Sequence, residues 1–366
     1  MIDFFGVKRQ YAMLRDEILD ATDEVYASGQ VLDGVNTQLF EIMMARRCDR
    51  KHAIAVNSGT QALIFALQAR DPNRSRSGIL IPAVSFVATL NATQMVEEYT
   101  AVCDVDFAGL INLSSLYEPI RDKFDTLMYV NLFGNTVDYD RFRVMTEFFN
   151  DDMFIIEDAA QSFGASYKGI PSGKMGTVSI LSFDPTKGLN NYGSGGMLLT
   201  DDDYLATVFK DFRDNGKESG HEIAGNNSKM SESDCAQMIV KLKHFDDWQT
   251  RRTEIAEYYI DTFGQYVDIL PTTEGTAHAW SKFAFRLQNR STLRSYLHNQ
   301  GIPTKVHYER ALYDEVLGRH LLDPMIGTTW EAYRFTRETV SLPIYPELTD
   351  AEVEHIAHTV KNLFTL

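Results

Sequence analysis

The stretch from Val178 to Thr200, VSILSFDPTKGLNNYGSGGMLLT, places two short apolar runs on either side of a polar, glycine-rich connection. Such runs are typical of buried strands. Pro185 before Lys187 and Gly188 after it predict a constrained turn that fixes the lysine amine. A lysine in a loop is usually a solvated surface charge, whereas a desolvated lysine loses its proton and condenses with aldehydes. The stretch on its own leaves both interpretations open.

Similar apolar runs alternate with amphipathic stretches over the first part of the chain, for example the helical pattern from Thr60 to Arg70. Strands that alternate with helices are typical of an α/β fold with a mostly parallel sheet, and the sequence predicts that architecture. The predicted strands are His52–Val56, Gly78–Pro82, Ala101–Val105, Leu127–Leu132, Met153–Ile156, Val178–Phe183 and Gly196–Leu199.

The pattern changes near residue 245, which predicts a second unit. We expect a large domain of residues 1–245 and a smaller C-terminal α+β domain of residues 246–366. The last helix is predicted to begin at Thr349, because Thr349 and Glu352 have the spacing of a capping box. The other predicted elements of this domain are a helix around Trp248–Tyr259, a strand at Phe283–Leu287, a helix at Ser291–Asn299 and a strand at Thr304–His307.

Composition excludes several kinds of partner. The 366 residues include 35 basic and 51 acidic side chains, a net charge of −16, which repels nucleic acid and anionic membranes. We find no signal peptide and no apolar run long enough to span a bilayer. Cys48, Cys103 and Cys235 are far apart and the nine histidines are scattered, so a reduced, cytoplasmic protein without a metal site is expected.

A second candidate element is IIEDAAQSFGASYKG, which starts at Ile155 and ends a predicted strand with Glu157 and Asp158. A carboxylate at the carboxyl end of a parallel strand points into the usual ligand crevice of such sheets. Asp158 is therefore a candidate for keeping a pyridine nitrogen protonated, which makes the ring an electron sink. The alternative is an ordinary helix-capping aspartate. Gln161 is placed to reach a ring hydroxyl from the same side.

The third candidate element is Asn57-Ser58-Gly59-Thr60, between a predicted strand and a predicted helix. This arrangement presents backbone N–H groups and the positive end of a helix dipole to a phosphate, although Ser-Gly-Thr at a helix start is more often only an N-cap. Ser182 offers another hydroxyl for the same phosphate. Phe86 follows a strand end and is a candidate for stacking on a planar ring, or else an ordinary core aromatic.

In their order along the chain, these segments resemble the DegT/DnrJ/EryC1/StrS aminotransferases, fold-type-I pyridoxal-phosphate enzymes that act on nucleotide-linked keto sugars. The likeness extends over nearly the whole chain, and the ordered set is much more specific than any single motif. The segments are KRQYAMLRDEI, SGQVLDG, NSGTQAL, EDAAQSFGASYKG, SFDPTKGLNNYGSGG, GNNSKMSESDCAQ, PTKVHY and SLPIYPELTDAEV.

The resemblance implies a role for each candidate residue. Lys187 is the lysine that holds pyridoxal 5'-phosphate as a Schiff base and moves protons, with Asp158 at the pyridine nitrogen and Gln161 near the ring hydroxyl. A homodimer with shared active sites is also implied. The remaining implied positions are Gly59, Thr60 and Ser182 at the phosphate, Phe86 over the ring, Asn227 at the phosphate of the neighbouring subunit, and His307 with Tyr308 near the substrate.

The implied reaction is ping-pong: glutamate converts the cofactor to pyridoxamine 5'-phosphate, and the amine then passes to a nucleoside-diphosphate 3-keto or 4-keto deoxysugar. We favour the 3-keto type, because KRQYAMLRDEI and EDAAQSFGASYKG resemble members with that regiochemistry. Two alternatives stay open. A lyase or amino-acid transaminase would be favoured by an arginine clamp for a substrate carboxylate, and a non-catalytic regulatory protein would bind the cofactor without turnover.

Some positions depart from the family pattern. Asn215, Asn226 and Lys229 stand where histidine, an aromatic or aliphatic residue, and arginine are common, and Asp184 replaces a usual aromatic residue. In the family, the first three positions lie nearer the substrate than the cofactor, so the resemblance leaves the identity of the sugar open.

Overall fold

The computed structural model describes residues 2–70, 78–115, 123–149, 153–318 and 329–365. The helices in these ranges are α1 (Val7–Ser28), α2 (Val35–Arg47), α3 (Gly59–Gln68), α4 (Ala88–Met95), α5 (Tyr139–Phe149), α6 (Asp203–Arg213), α7 (Glu232–Phe263), α8 (Arg290–Asn299), α9 (Trp330–Glu338) and α10 (Asp350–Thr365). The strands are β1 (His52–Val56), β2 (Gly78–Pro82), β3 (Tyr99–Cys103), β4 (Thr126–Val130), β5 (Phe154–Asp158), β6 (Ser166–Tyr167), β7 (Ile170–Pro171), β8 (Val178–Ser182), β9 (Gly196–Thr200), β10 (Asp268–Ile269), β11 (Thr276–Ala277), β12 (Phe283–Arg286) and β13 (Thr339–Leu342).

The largest sheet has the strand order β1-β9-β8-β5-β4-β2-β3. β9 runs antiparallel to both of its neighbours, whereas the other neighbouring pairs are parallel. The predicted α/β class with a mostly parallel sheet is therefore confirmed. Because parallel strands end at the same edge, the segments that follow β1, β2, β5 and β8 meet there.

This sheet lies between two apolar layers, as alternate residues of β1 show. Ile54 and Val56 belong to a core that also contains side chains of α3, β2 and β4. Ala53 and Ala55 belong to a second core, with side chains of α1, α2 and the first half of α7. Successive side chains of a strand point to opposite faces, so both faces of the sheet are covered and its carboxyl edge is left for a site.

The long helix α7 is continuous across residue 245. Its first half packs Phe245 and Trp248 into the second core, whereas its second half packs Ile255 and Tyr259 into a third core. The third core joins α7 to α8, α10 and the antiparallel sheet β10-β12-β13, and it includes Ile2 from the N-terminus. Residues 246–366 remain our proposed small domain.

Most of the helices and strands predicted after residue 245 are present in the structure. The capping box of α10 is present, with the Thr349 N–H donating to Glu352 Oε2 at 3.0 Å and the Glu352 N–H donating to Thr349 Oγ1 at 3.3 Å. The predicted strand at Thr304–His307 is wrong, because only Lys305 forms a single bridge, to Ser341. Pro303 has no N–H to donate there, and the segment continues to the site instead.

Within the described ranges, no helix has the length and apolar character needed to cross a membrane. The same ranges contain no group of three or more His, Cys, Asp or Glu side chains arranged to hold a metal ion. Cys48, Cys103 and Cys235 are buried thiols.

Candidate active site

A cavity of about 410 Å³ lies at the carboxyl edge of the large sheet. Asp158 and Ser182 end neighbouring parallel strands, and the segments after β1 and β2 reach the same edge. Residues more than 200 positions apart in the sequence are thereby brought together. The predicted site residues that line this cavity are Gly59, Thr60, Phe86, Asp158, Gln161, Ser182, Lys187, His307 and Tyr308.

Lys187 lies in the tight turn that follows β8. Its N–H donates to the carbonyl of Asp184 at 2.9 Å, and Asp184 Oδ1 accepts bonds from the N–H and the hydroxyl of Thr186 at 2.9 and 2.6 Å. Asp184, which departs from the family pattern, therefore fixes the turn. Burial lowers the pKa of Lys187, and the negative charges of Asp158 and Asp184 partly oppose that shift. The lowered pKa favours the neutral, nucleophilic amine.

Asp158 is 6% exposed and accepts a bond of 3.0 Å from the Ala160 N–H. Burial raises the pKa of Asp158 to about 6, opposed by that N–H and by the charge of Lys187. With this pKa the carboxyl group is partly protonated near pH 6, and a cation beside it would favour its ionised form. It is therefore suited to pair with a protonated ring nitrogen.

Glu157, the neighbour of Asp158, belongs to the opposite face of the sheet. It is fully buried and accepts bonds from Asn131 Nδ2 at 2.9 Å, from the Met175 N–H at 2.9 Å and from Ser179 Oγ at 2.6 Å. This carboxylate holds the loop between β7 and β8, so the two adjacent acids have different functions.

The start of α3 forms the end of the cavity where a phosphate was predicted. Ser58 is the N-cap and accepts a bond of 3.1 Å from the Gln61 N–H, whereas the first N–H groups of a helix have no intrahelical acceptor. A Cβ on Gly59 would lie 2.8 Å from Ser182 Cβ, and one on Gly196 would lie 2.3 Å from the Ser58 carbonyl carbon. Both glycines are required for this close approach of α3, β8 and β9.

Tyr308 and Gln161 are joined directly. Gln161 Nε2 donates to the Tyr308 hydroxyl at 2.9 Å. The ring of Phe86 lies 6.0 Å from the Tyr308 ring, and 52% of Phe86 is exposed, so one aromatic surface is free to cover a planar ligand. Burial of Tyr308 raises the pKa of its hydroxyl, which keeps this group protonated at neutral pH.

His307 is hydrogen-bonded through Nδ1 to Ser341 Oγ at 2.9 Å. Burial lowers the pKa of His307 to about 3, helped by the positive charges of Lys282, Lys305 and Lys187. The imidazole is therefore neutral at physiological pH and serves as a hydrogen-bonding group rather than a cation.

Several residues of the cavity wall were not singled out from the sequence, among them Phe5, Lys282 and Lys305. Phe5 comes from the N-terminal segment and the two lysines from the C-terminal part. The signal for Lys282 was a lysine directly before the apolar strand Phe283–Arg286, a position that favours burial of its stem. No pattern in the sequence connects these residues with Lys187.

Asn227 lies outside the cavity of its own chain. It is exposed and forms a bridge with Asp214, and the following Ser228 accepts a bond of 2.8 Å from the Asn57 N–H. Its predicted contact is with a neighbouring subunit, so that role stays a prediction.

The cavity fits pyridoxal phosphate. It offers an amine with a lowered pKa for the aldehyde, a buried carboxyl group for the ring nitrogen and a helix start for the phosphate. Its volume is within the range of about 300 to 1,000 Å³ that is usual for small-molecule sites.

The chain belongs to the DegT/DnrJ/EryC1/StrS aminotransferase family, which it matches over residues 12–361. The family depends on pyridoxal phosphate. The predicted family, the fold-type-I architecture, the cofactor and a pyridoxal-phosphate-dependent sugar aminotransferase are thereby confirmed at the level of the family.

Three comparisons illustrate the likeness. A dTDP-3-amino-3,4,6-trideoxy-α-D-glucose transaminase of Streptomyces venezuelae is 31% identical, with 98% of this chain and 95% of that protein covered. A pleiotropic regulatory protein of Geobacillus stearothermophilus is 28% identical, with 99% and 98% covered. The crystal structure of a DegT/DnrJ/EryC1/StrS aminotransferase from Brucella abortus superposes with a TM-score of 0.93 at 26% identity, with 99% of both chains covered.

Proposed function

We propose that this protein transfers an amino group from glutamate to a nucleoside-diphosphate-linked 3-keto or 4-keto deoxysugar. The observation that carries the proposal is the convergence of Lys187, Asp158 and the Gly59 helix start on one cavity. An amine for covalent attachment, an acid for a ring nitrogen and a phosphate cradle together form the set of groups that this chemistry requires.

The proposed roles follow from the positions of the side chains. Lys187 would hold the cofactor covalently and Asp158 would hold its ring nitrogen. Gln161 lies beside Tyr308, so its amide is fixed where the edge of a ring would lie. Bound pyridoxal phosphate supplies an aldehyde that condenses with amines and a ring that withdraws electrons.

Lys187 would also act as the acid and base of the reaction. Its lowered pKa increases the share of neutral amine, so Nζ can accept a proton from a substrate carbon and return it to another atom. The turn fixed by Asp184 restricts the backbone at Lys187, so proton transfer depends on movement of the side chain alone. His307 is neutral and suited to orient a hydroxyl group of a sugar.

A sugar acceptor is supported by the named relatives rather than by the cavity wall. Among the described residues that line the cavity, there is no arginine to clamp an α-carboxylate, but glutamate carries that group too, so this observation alone does not select the acceptor. The relative from Streptomyces venezuelae is named for a dTDP-linked 3-amino sugar, which supports the 3-keto substrate.

We further propose a homodimer in which Asn227 of one subunit serves the cofactor phosphate of the other. Support comes from the concentration of exposed apolar side chains on α1, α2 and the segment between them. The opposite faces of α1 and α2 pack against α7 in the second core. The exposed side chains are Tyr11, Met13, Leu19, Tyr26, Val31, Leu32, Val35, Leu39 and Ile42.

The donor half-reaction is tested on protein reconstituted with pyridoxal phosphate. Addition of glutamate should replace a band at about 410–430 nm by one near about 330 nm and release one equivalent of 2-oxoglutarate per site. Other amino acids serve as comparisons. A band that glutamate leaves unchanged would remove glutamate from the proposal, and release of other products would favour the lyase.

The sugar half-reaction is best tested in reverse, since amino sugars are more stable than keto sugars. The enzyme is given 2-oxoglutarate with dTDP-linked or UDP-linked 3-amino and 4-amino deoxysugars, and glutamate is quantified. We expect glutamate from a 3-amino sugar and none with Lys187→Ala. Bound cofactor with no turnover of any pair would favour the regulatory alternative, a function that the name of the Geobacillus relative suggests.

Shared active sites are tested by mixing two variants. Lys187→Ala and Asn227→Ala impair different chains of each site, so a mixed dimer regains one intact site. We expect the mixture to exceed the mean activity of the separate variants, and light scattering to give twice the 41.6 kDa chain mass. Activity equal to that mean, or a monomeric mass, would overturn shared sites.

A further inference from the structure

Lys282 and Lys305 place two amino groups in the cavity that its reaction chemistry does not require. Lys282 directly precedes β12 and is 6% exposed, whereas Lys305 is exposed where the cavity opens. Both line the same cavity as Lys187, so three lysines from distant segments face one space.

The two ammonium groups lie around the ring of Phe5. Lys282 Nζ is 5.1 Å from the centre of that ring and Lys305 Nζ is 4.4 Å from it. Lys282 Nζ also donates to the carbonyl oxygens of Thr186 and Ser281 at 2.9 and 3.0 Å. These contacts position both groups, but carbonyls and an aromatic face neutralise no charge.

The described cavity lining contains two carboxyl groups, those of Asp184 and Asp158. Asp184 Oδ1 accepts bonds from Thr186 and only partly opposes the lowering of the Lys282 pKa, and we assign Asp158 to the cofactor ring nitrogen. Among the described residues, no carboxylate forms an ion pair with Lys282 or Lys305. A buried ammonium without an anionic partner is costly, so an anionic ligand would gain strongly from binding there.

We propose that Lys282 and Lys305, both beside the ring of Phe5, form a subsite for an anionic oxygen group of the substrate, either a carboxylate or a phosphate. This inference rests on the proposed function, since it deepens the account of what enters the cavity. Lys282 is bonded to Thr186, the neighbour of Lys187, which places the subsite beside the reacting amine. Gly59, at the start of α3, belongs to the separate cradle proposed for the cofactor phosphate.

Two substrates carry such a group. Glutamate presents carboxylates in the first half-reaction, and a nucleotide sugar presents its diphosphate in the second. Because the two substrates occupy a ping-pong site in turn, one pair of lysines can serve both. This arrangement would replace an arginine clamp.

The protonation of Lys282 supplies a second line of support. Burial lowers its pKa well below the ordinary value, helped by the positive charges of Lys187, Arg252 and Lys305 and opposed by Asp184. An anion beside the amine raises that pKa again. Binding should therefore take up a proton at pH values above the lowered pKa, which a purely structural lysine would not do.

The test measures binding without turnover. UDP, dTDP and glutarate are titrated calorimetrically into the reconstituted enzyme, in two buffers of different ionisation enthalpy at several pH values between about 7 and 10. The variants are Lys282→Met and Lys305→Met, with Lys282→Arg to restore the charge. Lys243→Met, an exposed lysine on α7, is the matched control.

We expect each Met variant to weaken at least one probe by about tenfold or more, since a hydrogen bond to a charged group has that effect. Lys282→Arg should recover part of the affinity, and Lys243→Met should match the wild type. Weaker UDP or dTDP alone identifies the diphosphate, weaker glutarate alone identifies the donor carboxylate, and loss of both identifies a shared subsite. Proton uptake should disappear in Lys282→Met.

Equal affinities in wild type and both Met variants, or no binding of any probe by the wild type at millimolar concentration, would overturn the subsite. If Lys282→Met does not fold, Lys305→Met decides, because its side chain is exposed. Failure of the proposed function has a different signature. The wild type would then show no amino transfer, while the probes would still distinguish it from the Met variants.

Discussion

The amide of Gln161 donates a hydrogen bond of 2.9 Å to the hydroxyl of Tyr308. Gln161 follows β5 of the large sheet, whereas Tyr308 comes from the proposed small domain. The bond therefore joins the two parts of the chain inside the cavity, where Tyr308 also faces Phe86.

Tyr308→Phe tests that connection. The variant keeps the ring and removes the acceptor, so we expect the free energy of unfolding to fall by about 0.5–1.5 kcal/mol. The freed Gln161 amide should also lower cofactor affinity. Urea denaturation and cofactor titration measure the two effects, with the exposed Tyr333→Phe as control. Unchanged stability and affinity would show that the bond has no consequence.

Asp158→Asn should raise the stability of the cofactor-free protein and lower the activity of the enzyme with cofactor. Burial raises the pKa of Asp158 to about 6, compared with about 3.9 in an unfolded chain. The native state without cofactor therefore holds the proton more tightly, and the stability contributed by this group is lost as pH rises through 6. We expect cofactor-free Asp158→Asn to be more stable than wild type by about 2–3 kcal/mol at pH 8 and equal to it at about pH 3, below the unfolded pKa. Urea denaturation at both pH values measures this difference.

With cofactor bound, the same variant should lose activity by about 10²-fold or more, because an amide cannot keep the ring nitrogen protonated. Steady-state assays give that value. An active Asp158→Asn enzyme, or one less stable than wild type at pH 8, would contradict the proposed position of the carboxyl group.

Glu157→Gln, at the residue next to Asp158, is the matched comparison, and it should lower stability while activity is retained. The carboxylate of Glu157 accepts bonds from Asn131, Met175 and Ser179 in the core. Loss of its charge should lower the free energy of unfolding by about 1.5–3 kcal/mol, whereas the folded fraction should retain its specific activity. Thermal denaturation combined with active-site titration measures both. A stable but inactive variant would mean that Glu157 acts in the reaction.

Glu232 should make the surface proposed for dimerisation sensitive to acid. Burial raises the pKa of Glu232, but hydrogen bonds outweigh burial and lower it. The donors are the Thr37 hydroxyl and the N–H groups of Thr37, Asn36 and Gly34, the N–H groups at 2.8–2.9 Å. Its contribution to stability is therefore present above about pH 4.3 and is lost as pH falls through its lowered pKa.

Glu232→Gln should consequently lower stability by about 1.5–3 kcal/mol at pH 7 and make little difference in strong acid. It should also weaken the dimer, because Val31 and Val35 belong to the segment that Glu232 holds. Denaturation curves at the two pH values and sedimentation at low protein concentration measure these effects. An effect of equal size at both pH values would exclude the charge as its cause.

Much of the lining of this cavity could be predicted from the sequence, because parallel strands end at the same edge of a sheet. Once the strands were recognised, Asp158, Ser182 and the segment at Gly59 were therefore expected to lie close together. The turn at Lys187 was marked by its proline and glycines. Local patterns of this kind are visible without any knowledge of distant contacts.

Other features depend on packing between distant segments. Glu157 and Asp158 look equivalent in sequence, and only the alternation of side chains along β5 assigns one to the core and one to the cavity. Lys282 and Lys305 come close to Lys187 through the arrangement of the third core against the large sheet, which no local pattern describes. The contact proposed for Asn227 requires a second chain.

The most direct test of the account is where the cofactor attaches. Enzyme reconstituted with pyridoxal phosphate is reduced with borohydride, digested and sequenced by mass spectrometry, beside Lys187→Ala and Lys282→Met. The account predicts a pyridoxyl group on Lys187 in the wild type and in Lys282→Met, and no labelled site in Lys187→Ala. Labelling of Lys282 in place of Lys187, or no specific label in the wild type, would contradict it.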